Sequence, residues 1–150
     1  MSEYPIPEES WRDIVRHVPI VSVDLIVRHD GGVVLGRRTN RPGRGEWFVP
    51  GGRVRKDERI DAAIHRIAEA ELGVDVRIED RLGVYEHLWD ESEFDDVATK
   101  HYLANGAVVH PESARFSPDD QHDDLRVFEP PFPDLHPYVE AYLRDAGLGQ

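Results

Sequence analysis

The segment from Glu58 to Leu72 sets the strongest limit on what this chain can fold into. Its apolar residues Ile60, Ala63, Ile64, Ile67 and Leu72 recur near a 3.6-residue period, and Gly73 follows where a helix C-cap glycine belongs. The spacing predicts an amphipathic helix. On the N-terminal side, Ile20 to Val27 (IVSVDLIV) is dense in β-branched residues. It is followed by Asp30-Gly31-Gly32 and then Val33-Val34-Leu35, the pattern of a hairpin. On the C-terminal side, Asp75 to Trp89 and Lys100 to Val109 read as strands. A helix between two groups of strands buries its apolar stripe on their sheet. The expectation is an α/β (α+β) fold with a mixed sheet sandwiched between helices.

The remaining elements fit that plan. Glu8 to His17 reads as a short helix carrying Trp11, Ile14 and Val15 inward, and Thr39 to Gly45 has the turn chemistry of a loop. Trp47 to Val49 reads as a short strand leading to the pair Gly51-Gly52, and Leu125 to Phe128 as another short strand. Beyond Pro130, Pro131 and Pro133, Leu135 to Ala146 can form a closing helix with Gly147 past its end. Asp24 falls inside a strand between Val23 and Leu25, where by itself it is expected to face solvent. The acidic run Asp90-Glu91-Ser92-Glu93 with Asp95 and Asp96 is expected to be a solvated face.

With 150 residues, the chain is the size of a single domain over 1–150 with a core that needs no disulfide, and it has no Cys. Acidic residues number 30 against 18 basic ones, a net charge of −12 that disfavours nucleic acid and anionic membranes as partners. Only Lys56 and Lys100 are Lys, and Arg against carboxylate is a composition suited to high salt, where repulsion is screened. An ordinary acidic protein with an Arg bias is the alternative. No run approaches the roughly 18 apolar residues of a membrane span, and Met1 to Ser10 lacks a signal-peptide pattern, so a cytoplasmic location is expected.

The residues from Gly52 through Glu58, followed by Arg66, Glu71, Gly73 and Val74, resemble the Nudix box, G-x5-E-x7-R-E-U-x-E-E-x-G-U, and the spacing matches throughout. Such a unit has a physical rationale: glycines let the backbone approach a diphosphate, and a helix face projects carboxylates that hold Mg2+ against it. Two positions depart from the box, since Ile67 and Ala70 stand where it has glutamates. Neither can ligate a metal, and the usual carboxylate pair four residues apart is reduced to Glu71.

In those departures the chain is similar to the GDP-mannose mannosyl hydrolase branch of the family. The likeness extends over Val18 to Val27, Leu35 to Pro42 (LGRRTNRP), Glu46 to Asp57 (EWFVPGGRVRKD), Lys100-His101-Tyr102, and Asp120-Gln121-His122-Asp123-Asp124 before Arg126. The resemblance implies a Nudix fold and hydrolysis of a nucleoside diphosphate sugar, GDP-mannose or GDP-glucose, by water attack at the anomeric carbon with inversion. It implies one Mg2+ per site, replaceable by Mn2+, held by the Gly51 carbonyl, Glu71 and Gln121. It implies His122 as the base, Arg38 and Arg53 along the diphosphate, and Tyr102 at the diphosphate or sugar. Asp24 and His87 would lie near the sugar. Arg66, matching the box arginine, would brace loop and helix at the substrate site. Family analogy alone suggests a homodimer. Two other readings stay open: a diphosphatase that cuts a nucleotide sugar or ADP-ribose at phosphorus, and a non-catalytic nucleotide-sugar sensor.

Overall fold

A computed structural model of the chain describes residues 6–113, 116 and 124–148. In chain order the described elements are α1 (Glu8–His17), β1 (Ile20–His29), β2 (Gly32–Arg37), β3 (Trp47–Phe48), β4 (Gly51–Arg53), α2 (Ile60–Leu72), β5 (Val76–Trp89), β6 (Lys100–Pro111), β7 (Leu125–Phe128) and α3 (Pro137–Asp145). The strands form one mixed sheet in the order β3-β2-β1-β6-β5, with β4 added to β1 and β7 to β2. Only β1 and β6 run parallel, at its centre, and the helices flank it as the sequence predicts.

The boundaries that shift do so for local reasons. The β1–β2 hairpin turns at Asp30 (φ 50°) and Gly31 (φ 79°), two positive φ angles in succession that match the right-handed twist of the strands. Helix α2 starts at Ile60 rather than Glu58, because the Glu58 carboxylate accepts from Arg55 N (2.9 Å) and from Arg66 instead of entering the first turn. Helix α3 starts at Pro137 rather than Leu135. Its N-cap is His136, whose Nδ1 accepts from Tyr138 N at 3.0 Å, and proline suits the first helical position. Gly73 ends α2 in the left-handed conformation (φ 76°), as its spacing predicts.

Strand alternation sorts β1 between two cores. Val23, Leu25 and Val27 pack with Ala63, Ile64, Ile67 and Leu72 of α2. Ile26 points the other way, with Val108 of β6, and packs with Val139, Tyr142 and Leu143 of α3. Ile20, Ser22 and Asp24 share this second face, but toward the end of the sheet where α1 packs through Trp11, Ile14 and Val15 against Ile20, Tyr102 and Val97. Between α1 and α3 the face of the sheet is open, and Asp24 looks into that opening rather than out to solvent. It is only 8% exposed, which corrects the expectation from its neighbours alone.

The acidic run is also not simply a solvated face. Ser92 is buried, and the segment ties three parts of the fold together. Glu93 accepts from Trp11 Nε1 (2.8 Å), and the buried Lys100 ammonium lies 3.0 Å from its carboxylate. Asp96 accepts from Arg16 (2.9 Å) and pairs with Arg12, while Asp95 accepts from Arg41 (2.7 Å) and Glu91 from Gly43 N (2.9 Å). Exposed pairs of this kind contribute little individually, but Glu93 neutralises a cation that has left water. Replacing Glu93 with Ala is expected to cost about 3 kcal/mol in denaturant unfolding, by stranding Lys100. Asp95→Ala, at the exposed rim, is expected to cost under about 1 kcal/mol.

Candidate active site

The opening between α1 and α3 is lined by Asp24 and Ser22 of β1, Arg38 and Phe48 on one side, His87 and Trp89 of β5, Tyr102 of β6, Gly51 to Arg53 of β4, and Trp11. A second hollow shares Arg38, Phe48, Val49 and Gly51 with it and is lined besides by Thr39, Asn40 and Glu71. Of the candidates raised by the sequence, Asp24, Arg38, Arg53, His87, Tyr102 and Gly51 therefore line the first hollow, and Glu71 lines the second beside Arg38 and Gly51. Gln121 and His122 lie outside the described residues.

Packing requires the first glycine of the pair and leaves little room at the second. Gly51 stands opposite Asp24 in the β1–β4 ladder, and a Cβ there would collide with Asp24 Oδ1 and Val23 O. A Cβ on Gly52 would press on Ile67 at 3.2 Å. Ile67 is thus a floor to the glycine pair, buried in the α2 core, which is what this chain builds in place of a glutamate. Ala70 on the exposed side of α2 adds only a methyl group.

Ladder geometry also decides where the Gly51 carbonyl points. Leu25 N donates to Pro50 O (2.8 Å) and Val54 N to Val21 O (2.9 Å), so alternate pairs bond and the Asp24–Gly51 pair between them does not. The carbonyls of Gly51 and Arg53 consequently face outward from β1. Arg53 O accepts from Arg66 of α2 at 2.9 Å, which shows that this edge faces α2. Glu71, on the same helix, lines the same hollow as Gly51. The set is all oxygen, as a hard divalent ion such as Mg2+ prefers. It is also sparse: among the described residues no three His, Asp or Glu side chains converge as a metal cluster.

Arg66 lines neither hollow and serves as the brace. Its guanidinium grips Glu58 through Nε–Oε2 (2.7 Å) and a second bond to Oε1 (2.9 Å), besides holding Arg53 O. The Arg66 bonds hold the Glu58 carboxyl down at about 2. Above it, Arg38 donates Nε to Pro42 O (2.6 Å) and lies over the Phe48 ring, and Arg53 lies 5.5 Å over Trp11. Both side chains line the cleft together with Asp24.

At the other end, Asp24 and His87 meet, with Nδ1 3.8 Å from Oδ2. They are not a charged pair. Burial among Phe48, Tyr138 and Tyr142 pushes His87 down to about 4, with His136 adding repulsion, so the ring is neutral. Burial pushes Asp24 up to about 6, against the Tyr142 hydroxyl and Arg38, which favour its anion. His87 stacks on Tyr138 at 4.1 Å, almost parallel. Its buried Nε2 has no hydrogen-bond partner among the described residues. The chain's periodicity showed β5 and the alternation of Tyr85, His87 and Trp89. It did not show Trp11, Tyr138 or Tyr142 at the site, because they come from helices whose docking is a tertiary matter.

A folded-state pKa of about 4 against an ordinary 6.5 makes His87 contribute stability that is complete above pH 6.5 and lost as pH falls through about 4. Replacing His87 with Phe, which keeps the ring stack, is expected to remove on the order of 2 kcal/mol of the pH dependence of unfolding across that window, as read by denaturant titrations at stepped pH.

Known proteins bear on the chain at this point. A family model, the NUDIX domain, matches residues 18–141. The Low-salt glycan biosynthesis protein Agl8 of Haloferax volcanii is 54% identical over 138 residues, spanning 92% of this chain and 88% of that protein. An ADP-ribose pyrophosphatase of Methanocaldococcus jannaschii is 36% identical over 67 residues, covering 45% of this chain and 40% of its own. Among solved structures, the MutT NUDIX hydrolase from Burkholderia pseudomallei superposes with a TM-score of 0.62 at 28% identity, over 85% of this chain and 97% of that one. The matched residues take in β1, the glycine pair, α2 and most of α3, and the chain belongs to the Nudix family, as a Nudix hydrolase.

Proposed function

We propose that this hydrolase acts on a nucleoside diphosphate sugar, GDP-mannose or GDP-glucose, by attack of water at the anomeric carbon. The observation that carries the reading is the depletion of acid on α2. Ile67 is core, Ala70 is a methyl group, and Glu71 is the one carboxylate of α2 in the hollow beside Gly51. Water activated by several metal ions at phosphorus needs more anionic ligands than that. One ion shared with a diphosphate needs few. The Agl8 relative's name, which speaks of glycan biosynthesis, also supports nucleotide-sugar chemistry.

The residues divide the work along the cleft. Gly51 O, Glu71 and Gln121 would hold one Mg2+, or Mn2+ in its place. When bound, that ion neutralises charge on the departing GDP. Arg38 and Arg53 bind the diphosphate, where a planar fork offsets leaving-group charge. His122 takes the proton of the attacking water as its oxygen bonds to C1, and the bond from C1 to the diphosphate oxygen breaks with its electron pair leaving on GDP. Asp24 stabilises the positive character that develops at C1, beside a neutral His87. Tyr102 adds a hydroxyl where sugar and diphosphate meet. Cleavage at phosphorus is the competing reading, favoured by the ADP-ribose pyrophosphatase relative.

Incubating the protein with GDP-mannose and Mg2+ in 18O water, at low and high salt, separates these. Label in the free sugar with unlabelled GDP is the expected result. Label in GMP or a sugar phosphate would overturn attack at carbon, and no turnover of any nucleotide sugar would leave binding alone. His122→Gln is expected to lower kcat about 100-fold or more with KM changed little, measured by initial rates across substrate concentration.

A further inference from the structure

We propose that Tyr142 of the C-terminal helix α3 is a positioning residue for Asp24, its hydroxyl setting the carboxylate that faces the reacting sugar. The inference rests on the reading of Asp24 above and extends it to Tyr142, just past the residues 18–141 that the family model matches. Tyr142 OH donates to Asp24 Oδ2 at 2.7 Å, a bond buried inside the protein between residues 118 apart in the chain. Tyr142 is fully buried, among the largest side chains to be so.

The sheet is carved to admit this contact. Asp24 pairs with Gly106 of β6 on one side and with Gly51 of β4 on the other. A Cβ on Gly106 would lie 2.8 Å from Tyr142 Cε1, so any larger residue there would push the phenol off its path to Asp24. A Cβ on Gly51 would displace the other carboxylate oxygen. Absence of side chains at both neighbours lets one carboxylate oxygen meet Tyr142 while the other turns toward β4.

The phenol is itself held. Tyr85 of β5 packs its ring 4.5 Å from that of Tyr142 and donates its hydroxyl to Asp145 at the end of α3 (2.7 Å). One turn earlier, Tyr138 stacks on His87, while its hydroxyl donates to Leu88 O (3.0 Å) and accepts from Leu88 N (2.9 Å). Helix α3 therefore fixes both members of the Asp24–His87 pair through two tyrosines one turn apart. A tyrosine whose role was only to fill the core would do so equally well as phenylalanine, since the ring supplies the packing and the hydroxyl would be a buried group needing a partner. Here the partner is the carboxylate at the cleft.

The test uses the full chain with GDP-mannose and Mg2+, comparing wild type, Tyr142→Phe, Asp24→Ala and the double variant. Tyr142→Phe is expected to lower kcat about tenfold or more with KM within about twofold, as a displaced catalytic group does. Added to Asp24→Ala, it is expected to change kcat by less than about twofold, because the group it positions is gone. Wild-type kcat in Tyr142→Phe, or the same loss with Asp24 already absent, would overturn the inference. Wild-type turnover in Asp24→Ala would instead sink the catalytic reading of Asp24. If wild type does not turn over GDP-mannose, or Phe at 142 does not fold, proton NMR of the wild-type chain decides. A slowly exchanging Tyr142 hydroxyl resonance that vanishes in Asp24→Ala supports the contact, and its absence in wild type overturns it.

Discussion

A carboxylate buried in the middle of a sheet is the constraint around which this protein is arranged. Taking Asp24 out of water is costly unless it is hydrogen-bonded and faces positive charge. The fold meets that need with Tyr142 from one side and Arg38 across the cleft. Glycine at both flanking strand positions makes the arrangement sterically feasible. The parallel pairing of β1 with β6 follows the same logic, since it brings Gly106 to Asp24 and Tyr102 to Ile20 in one register. A slip of one residue would turn Asp24 into the α2 core.

The α2 side of the cleft shows the converse trade. Where the Nudix box has a glutamate, Ile67 joins Ile64, Val23 and Val76 in a continuous core beneath Gly52. Burying such an aliphatic side chain is worth about 1.5–3 kcal/mol, whereas a carboxylate at that spot would need a cation to justify it. The loop above is held by that packing and by the Glu58–Arg66 brace.

The strongly acidic composition acquires structure where it meets arginine. Asp95, Asp96 and Glu93 collect Arg41, Arg12, Arg16 and Lys100, so a run that reads as solvated charge becomes the seam joining α1 to the rest of the molecule. That seam sets one wall of the cleft, because Trp11 is anchored by Glu93 while its ring faces Arg53. Charge spacing along the chain carries no trace of its link to α1, since Trp11, Arg12 and Arg16 are some eighty residues from their partners.

What the sequence determined by itself is whatever depends on neighbours within a few residues. Periodicity placed α1, α2, β1 and β5 close to their observed limits, Asp30-Gly31 marked the turn, and the spacing from Gly52 to Val74 marked the family and its missing acids. Helix starts were off by two residues where a side chain, Glu58 or His136, used its hydrogen bonds in a way that propensity does not encode. Tertiary structure alone decided that Asp24 is buried and bonded, that His87 is neutral, and that Trp11 of α1 lines the cleft. Each of those depends on groups brought together from distant parts of the chain. Desolvation, which shifts both Asp24 and His87, exists only once those parts have closed around them.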